Sequence, residues 1–143
     1  MFGVEVSTFD RARRRRAIRR LAARLGLVDR VDELPALEDS SAPMRPCGQA
    51  YVGVRTIAVR AIVGTVDRAG DFDGEFLPRR ADMAERWYQV ERVLRQGNTP
   101  PISVYELDGL YFVVDGHHRV AIARQRGIDH LEAEITRIRG RAA

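Results

Sequence analysis

The chain has 143 residues, enough for one domain with its own core but not for two full-sized ones. Apolar residues make up 45% and charged residues 31%, an ordinary globular composition that excludes disordered and collagen-like classes. The net charge is +4, and a lone cysteine, Cys47, excludes an internal disulfide and a cysteine-based zinc site.

The charge is unevenly placed. All 24 basic residues are arginine, and eight of them (Arg11, Arg13, Arg14, Arg15, Arg16, Arg19, Arg20 and Arg24) fall within residues 10–24 beside one acid, Asp10. The rest of the chain is nearly neutral, so the basicity belongs to an N-terminal arm. No apolar run reaches the roughly 18–20 residues of a bilayer span, and no apolar leader segment opens the chain. A cytoplasmic protein without a membrane partner is expected.

Residues 10–25 read as a helix, with Ile18, Leu21, Ala22 and Leu25 at helical spacing and Gly26 as its stop. An arm of residues 1–28 is therefore expected, then a linker over 29–49 rich in proline, serine and acids, then a domain from residue 50 to 143. Short β-branched runs follow at Tyr51–Val54, Thr56–Val59 and Ile62–Val66, with a bulge or bend at Gly64. After a glycine-bearing acidic loop over 67–74, a helix is expected over residues 80–96. Its apolar stripe is Met83, Trp87, Val90 and Leu94, and Glu91, Arg92 and Arg95 read as a solvated face. Trp87 is expected in the core, and Tyr88 stays open. Pro100-Pro101 leads into a strand at Ile102–Leu107, Asp108-Gly109 is a two-residue hairpin signal, and Leu110–Asp115 is the return strand. A helix over His117–Arg126, capped by Gly127, and a strand over Leu131–Ile138 complete the pattern.

The chemistry concentrates in Asp115-Gly116-His117-His118-Arg119. This is the end of a strand, a glycine turn and the first turn of a helix. A helix N-terminus offers unpaired N–H groups and the positive end of its dipole, which suits a phosphate. Gly116 allows close backbone approach, His118 and Arg119 add side-chain donors, and Asp115 is placed to orient a ribose, a metal or an acceptor hydroxyl. The residues leave another reading open, a β–α turn whose histidines only solvate a helix start. Adjacent His117 and His118 diverge by about 100° on a helix, and no third ligand stands at a familiar spacing, so no protein-only metal site is expected.

The run Pro101-Ile102-x-Val104, then Asp108-Gly109 and a strand, then Asp115-Gly116-His117-His118-Arg119-x-Ala121 and Gly127, resembles the ParB/sulfiredoxin superfamily. It is most like the small stand-alone ParB-like nuclease domain proteins, over roughly residues 51–138. The resemblance implies an α+β fold: a single ParB/sulfiredoxin-like domain with a small mixed sheet, preceded here by the arginine-rich N-terminal helix. It also implies phosphate binding by Gly116, His117, His118 and Arg119, with CTP in partitioning proteins and adenine nucleotides (ATP or ADP) in other members. Two departures matter. The position of the sulfiredoxin catalytic cysteine is His117 here, which argues against sulfinic-acid reduction. Only 16 residues follow Gly127, too few for the long DNA-reading domain of a partitioning protein.

Arg68 and Asp71, in the loop before the long helix, are expected to meet the Asp115 turn, Arg68 as a phosphate contact. Asp115, His117 and Asp71 are the candidate catalytic groups, with Mg2+ arriving on the nucleotide. The arm has three readings: a nucleic-acid arm using Arg13, Arg14, Arg15, Arg16, Arg19 and Arg20; a helix docked through Ile18, Leu21 and Leu25; or a face for a partner or acidic membrane, the last weakened by its lack of aromatic residues. The expected function is a nucleotide-binding domain acting as a nucleotide-dependent switch or phosphotransfer enzyme. The alternative is a DNA- or RNA-binding protein with nuclease activity that holds a backbone phosphate in the same box. A third class keeps the fold as an interaction module.

Overall fold

The computed structural model describes residues 7–28, 46–66, 70–97 and 99–140. Residues 29–45, most of the expected linker, lie outside that set, as does Arg68. The remainder of that linker, Pro46 to Gln49, belongs to the first strand.

Strand β1 runs over Pro46–Ala58, where two shorter strands were expected. Arg55 lies between those two apolar runs, but it is exposed on an edge strand, so its polarity does not interrupt the pairing. Strand β2 spans Ile62–Thr65 and has a register shift at Gly64, as expected. β3 (Ile102–Leu107) and β4 (Leu110–Asp115) form the hairpin. Asp108 and Gly109 both take positive φ, 52° and 82°, which a two-residue turn needs to match the twist of its strands. β5 covers His130–Gly140.

Together these strands make one mixed five-stranded sheet of order β1-β5-β3-β4-β2. β1 pairs with β5 and β3 with β4 in antiparallel fashion, while β3 and β5, and β2 and β4, are parallel.

Three helices are described. α1 is Thr8–Arg24, α2 is Ala84–Arg95 after a 3-10 turn at Ala81–Met83, and α3 is His117–Arg126. The alternation of β3 and β4 sends Ile102, Val104 and Val113 to the helical side of the sheet, where Val120–Ala123 of α3, Met83 of the 3-10 turn and Trp87 of α2 pack on them. The opposite side carries a small cluster of Leu107, Phe112 and Ile138. The fold class expected from sequence, α+β with a small mixed sheet behind an arginine-rich helix, is the one observed.

The docking of α1 differs from expectation. Its buried residues are Thr8, Phe9, Ala12 and Arg16, whereas Ile18, Leu21 and Leu25 face solvent. Phe9 meets the edge of Trp87 with ring centroids 5.6 Å apart. Trp87, fully buried as expected, donates through Nε1 to Thr8 Oγ1 at 2.9 Å, and Thr8 in turn donates to Glu91 Oε2 at 2.5 Å. Glu91 is therefore buried rather than part of a solvated face. Tyr88 is largely exposed and donates to Ser7 Oγ, the side chain that caps α1 by accepting from the Asp10 N–H.

Candidate functional site

Parallel strands β2 and β4 lie side by side, Thr65 level with Val113 and β4 running on to Asp115, and ligands in such sheets gather beyond the carboxyl ends of the strands. The chain leaves β4 through Gly116, whose φ of 114° only glycine adopts without strain. A Cβ at this position would stand 2.5 Å from Ile102 Cγ2. Space and dihedral both require glycine, and together they bring the α3 N-terminus tight against β3.

A cleft of about 890 Å³ opens in front of that helix start. It is lined by Asp71, Asp115, Gly116, His117, His118 and Arg119, the expected box residues together with one of the two expected loop residues. The other, Arg68, is outside the described residues. Arg80, Asp82 and Arg86, which sequence reasoning passed over, complete the polar wall. Part of their signal was present: Asp82 and Arg86 stand at i and i+4, each one position before an apolar-stripe residue, Met83 and Trp87.

Each polar group has a defined setting. Arg80 bridges Asp71 at 2.8 Å and Asp82 at 3.0 Å, so the Asp71 carboxylate is already paired. The His117 ring contacts buried Thr65 through Nε2 at 2.8 Å from Oγ1. Thr65 Oγ1 lies 3.3 Å from the Val113 carbonyl, so a Thr65 hydroxyl donating there leaves its oxygen to accept from His117 Nε2–H. His118 stands edge-on to Phe72, ring centroids 5.0 Å apart. Burial lowers its pKa to about 4, reinforced by the Arg86 charge, against the pull of Asp71. His118 is thus a neutral, packed imidazole near pH 7, with even less cationic character there than an ordinary histidine.

This shift gives a stability signature. The unfolded chain binds a proton near pH 6.5, whereas the native state resists it down to about 4. Folding stability is therefore expected to rise with pH across that window, by about 2 kcal/mol once partial solvent screening is allowed for. Urea denaturation at pH 5 and pH 7 checks it, because His118→Gln should flatten the rise. An equal slope in the variant would remove His118 as its source.

Arg119 turns back on the fold. Its guanidinium donates to the Pro100 carbonyl and lies 3.6 Å from Asp115, and burial lowers its pKa despite that carboxylate. The Asp115 side chain is 81% exposed at the cleft mouth. Arg119 therefore ties the loop before β3 to the first turn of α3 while also forming part of the cleft wall. Arg86 is exposed and makes no ion pair among the described residues. No three His, Cys, Asp or Glu side chains gather as a metal-binding group among the described residues.

The expected nucleic-acid arm divides in two. Arg16 is buried in a 3.4 Å ion pair with Asp73, which corrects its assignment to a phosphate-reading face. Arg13 donates to the Pro78 carbonyl, and Arg19 pairs with Glu75 at 2.8 Å. Arg14, Arg15 and Arg20 remain exposed. No helix among the described residues is long and apolar enough to cross a membrane.

No family model matches the chain, and no curated protein matches it. Among solved structures, the chain is similar to a sulfiredoxin from Arabidopsis thaliana, at 22% identity and a TM-score of 0.37, over 57% of this chain and 82% of that one.

Proposed function

We propose that the cleft before α3 binds the phosphates of a nucleotide, CTP or an adenine nucleotide, and that the chain works as a nucleotide-dependent switch or phosphotransfer enzyme. The observation that carries this reading is the meeting of a glycine-fixed helix start with guanidinium groups in one open cleft. Gly116 keeps the entrance free of a side chain, and the N–H groups of the first turn of α3 point out of the helix toward it. Arg86 and the remaining N–H groups of Arg119 supply charge-assisted donors. At about 890 Å³ the cleft falls in the range of small-molecule sites. The resemblance of the Asp115–Arg119 run to nucleotide-binding boxes points the same way.

Magnesium fits this reading as a companion of the nucleotide, held mainly by phosphate oxygens and water, with Asp115 the exposed carboxylate nearest to the box. Asp71 joins only if Arg80 releases it. If turnover occurs, His117, steadied by Thr65, and Asp115 are the groups placed to hold or move a proton beside a phosphate.

Calorimetry with magnesium CTP, ATP and ADP tests the reading. Arg119→Ala should weaken binding about ten- to hundredfold, the loss of a charged hydrogen bond worth ~1.5–3 kcal/mol. Arg119→Lys should restore only part of it, because an ammonium keeps the charge without the planar fork. Absence of any nucleotide binding at millimolar concentration would refute the proposal.

A further inference from the structure

The second half of α1 presents an apolar helix face that the other described residues leave exposed. Ile18, Leu21 and Leu25 are 59%, 57% and 66% exposed. Their spacing aligns them on the side of the helix opposite Phe9, Ala12 and Arg16. Beside Ile18, between α1 and the C-terminal end of α3, runs a groove of about 770 Å³ with Val59, Leu77 and Ile128 among its apolar lining.

The groove is cationic. Four guanidinium groups line it against two carboxylates, those of Glu75 and Asp129. Arg19 is committed to Glu75, and Arg124 to the Ile62 carbonyl. Arg15 and Arg60 are exposed and make no ion pair among the described residues. Gln125 also lines the groove; it is 6% exposed, and its Oε1 finds no hydrogen-bond partner among the described residues.

We infer that the α1 stripe and this groove form a docking surface for an acidic, amphipathic segment of a partner protein. Its apolar side chains seat against Ile18, Leu21 and the groove floor, and its carboxylates meet Arg15 and Arg60. The charge pattern selects this occupant over the others. A nucleic acid would use the arginines but press three large apolar side chains against a phosphate polymer. A second copy packed through the same face would bring one cationic rim against another. A bilayer surface cannot fill a concave groove, and the stripe has no aromatic residue to sit at the interface.

The test is fluorescence anisotropy on the full chain at physiological ionic strength. The probe is a labelled peptide of about 16 residues with leucines at helical spacing and glutamates flanking them. Saturable binding is expected, weakened about tenfold or more by Ile18→Ser with Leu21→Ser, and as much by Arg15→Glu with Arg60→Glu. All four positions are exposed, so an unchanged melting temperature shows that the variants fold. A peptide of the same composition with scrambled leucine spacing should bind about tenfold more weakly. Equal affinity for the scrambled peptide, or tighter binding of duplex DNA or of phosphatidylserine vesicles, overturns the inference. So does a concentration-dependent dimer that the Ile18 and Leu21 changes abolish.

Discussion

Arg16→Ala is expected to destabilise the chain by about 3 kcal/mol or more at pH 7, because it leaves a buried carboxylate without its counter-charge. Asp73 is 6% exposed, and its Oδ1 accepts the N–H groups of Glu75 and Leu77 at 2.9 and 3.0 Å. Burial already raises its pKa despite those bonds and Arg16. Removing Arg16 would raise it further. Below its raised native pKa Asp73 is a neutral acid in both proteins, so the penalty grows only as pH climbs above that pKa and disappears at lower pH. The variant should therefore look nearly normal near pH 3.5 and weak at pH 7. Asp73→Asn in the same chain should recover part of the loss, since a neutral amide costs less to bury unpaired. Arg14→Ala, an exposed neighbour on the same helix, should stay within about 0.5 kcal/mol. Chemical denaturation at the two pH values decides the matter; an Arg16 penalty below about 1 kcal/mol at pH 7 would mean that α1 is not anchored through this pair.

Gly116→Ala is expected to damage both the fold and the cleft. Its φ of 114° is strained for any residue with a Cβ, at about 1–3 kcal/mol. The new methyl would also lie 2.5 Å from Ile102 Cγ2 and 2.9 Å from Ile102 Cβ. Ile102 is itself a core side chain of β3, so it cannot swing aside. Either α3 moves outward or β3 bends, and both displace the first-turn N–H groups from the phosphate position. The signature is a coupled one. Ile102→Ala alone should cost about 2–5 kcal/mol by opening a cavity, and less in the Gly116→Ala background, where it removes the 2.5 Å contact with Cγ2 while the 2.9 Å contact with Cβ stays. Thermal denaturation of the four proteins in that cycle gives the coupling. Strictly additive losses would show that contact with Ile102 is not what demands glycine.

What the sequence reveals here is what short-range chemistry encodes. The bounds of α3 are read correctly because Gly116 and Gly127, with φ of 114° and 70°, are left-handed positions at both ends of one helix. The hairpin at Asp108-Gly109 is legible for the same reason. The face of α1 is not. Periodicity offers Ile18, Leu21 and Leu25 as a docking face, but the packed face holds Thr8, Phe9, Ala12 and an arginine. Arg16 and Thr8 can be buried only because Asp73 and Glu91, 57 and 83 positions away, meet them, and no local pattern announces such partners. The cleft divides along the same line. Its Asp115–Arg119 side is one continuous segment, whereas Arg80 and Arg86 reach it only through the way α2 crosses α3.

The strand order carries a consequence for how the chain assembles. β5 lies between β1 and β3, so it is the strip that joins the edge strand to the hairpin. It is also the last of the five strands to leave a ribosome. Until it arrives, β1 has no neighbour to bond, and its eventual partners are distant: Ala58 pairs with His130 and Gln49 with Ile138. Synthesis thus proceeds with a 13-residue strand waiting in an incomplete sheet. Such long closures are slow, and an unpaired strand edge invites pairing with other chains. Chains stalled before residue 130 should therefore be aggregation-prone even though α2, the hairpin and α3 are already made.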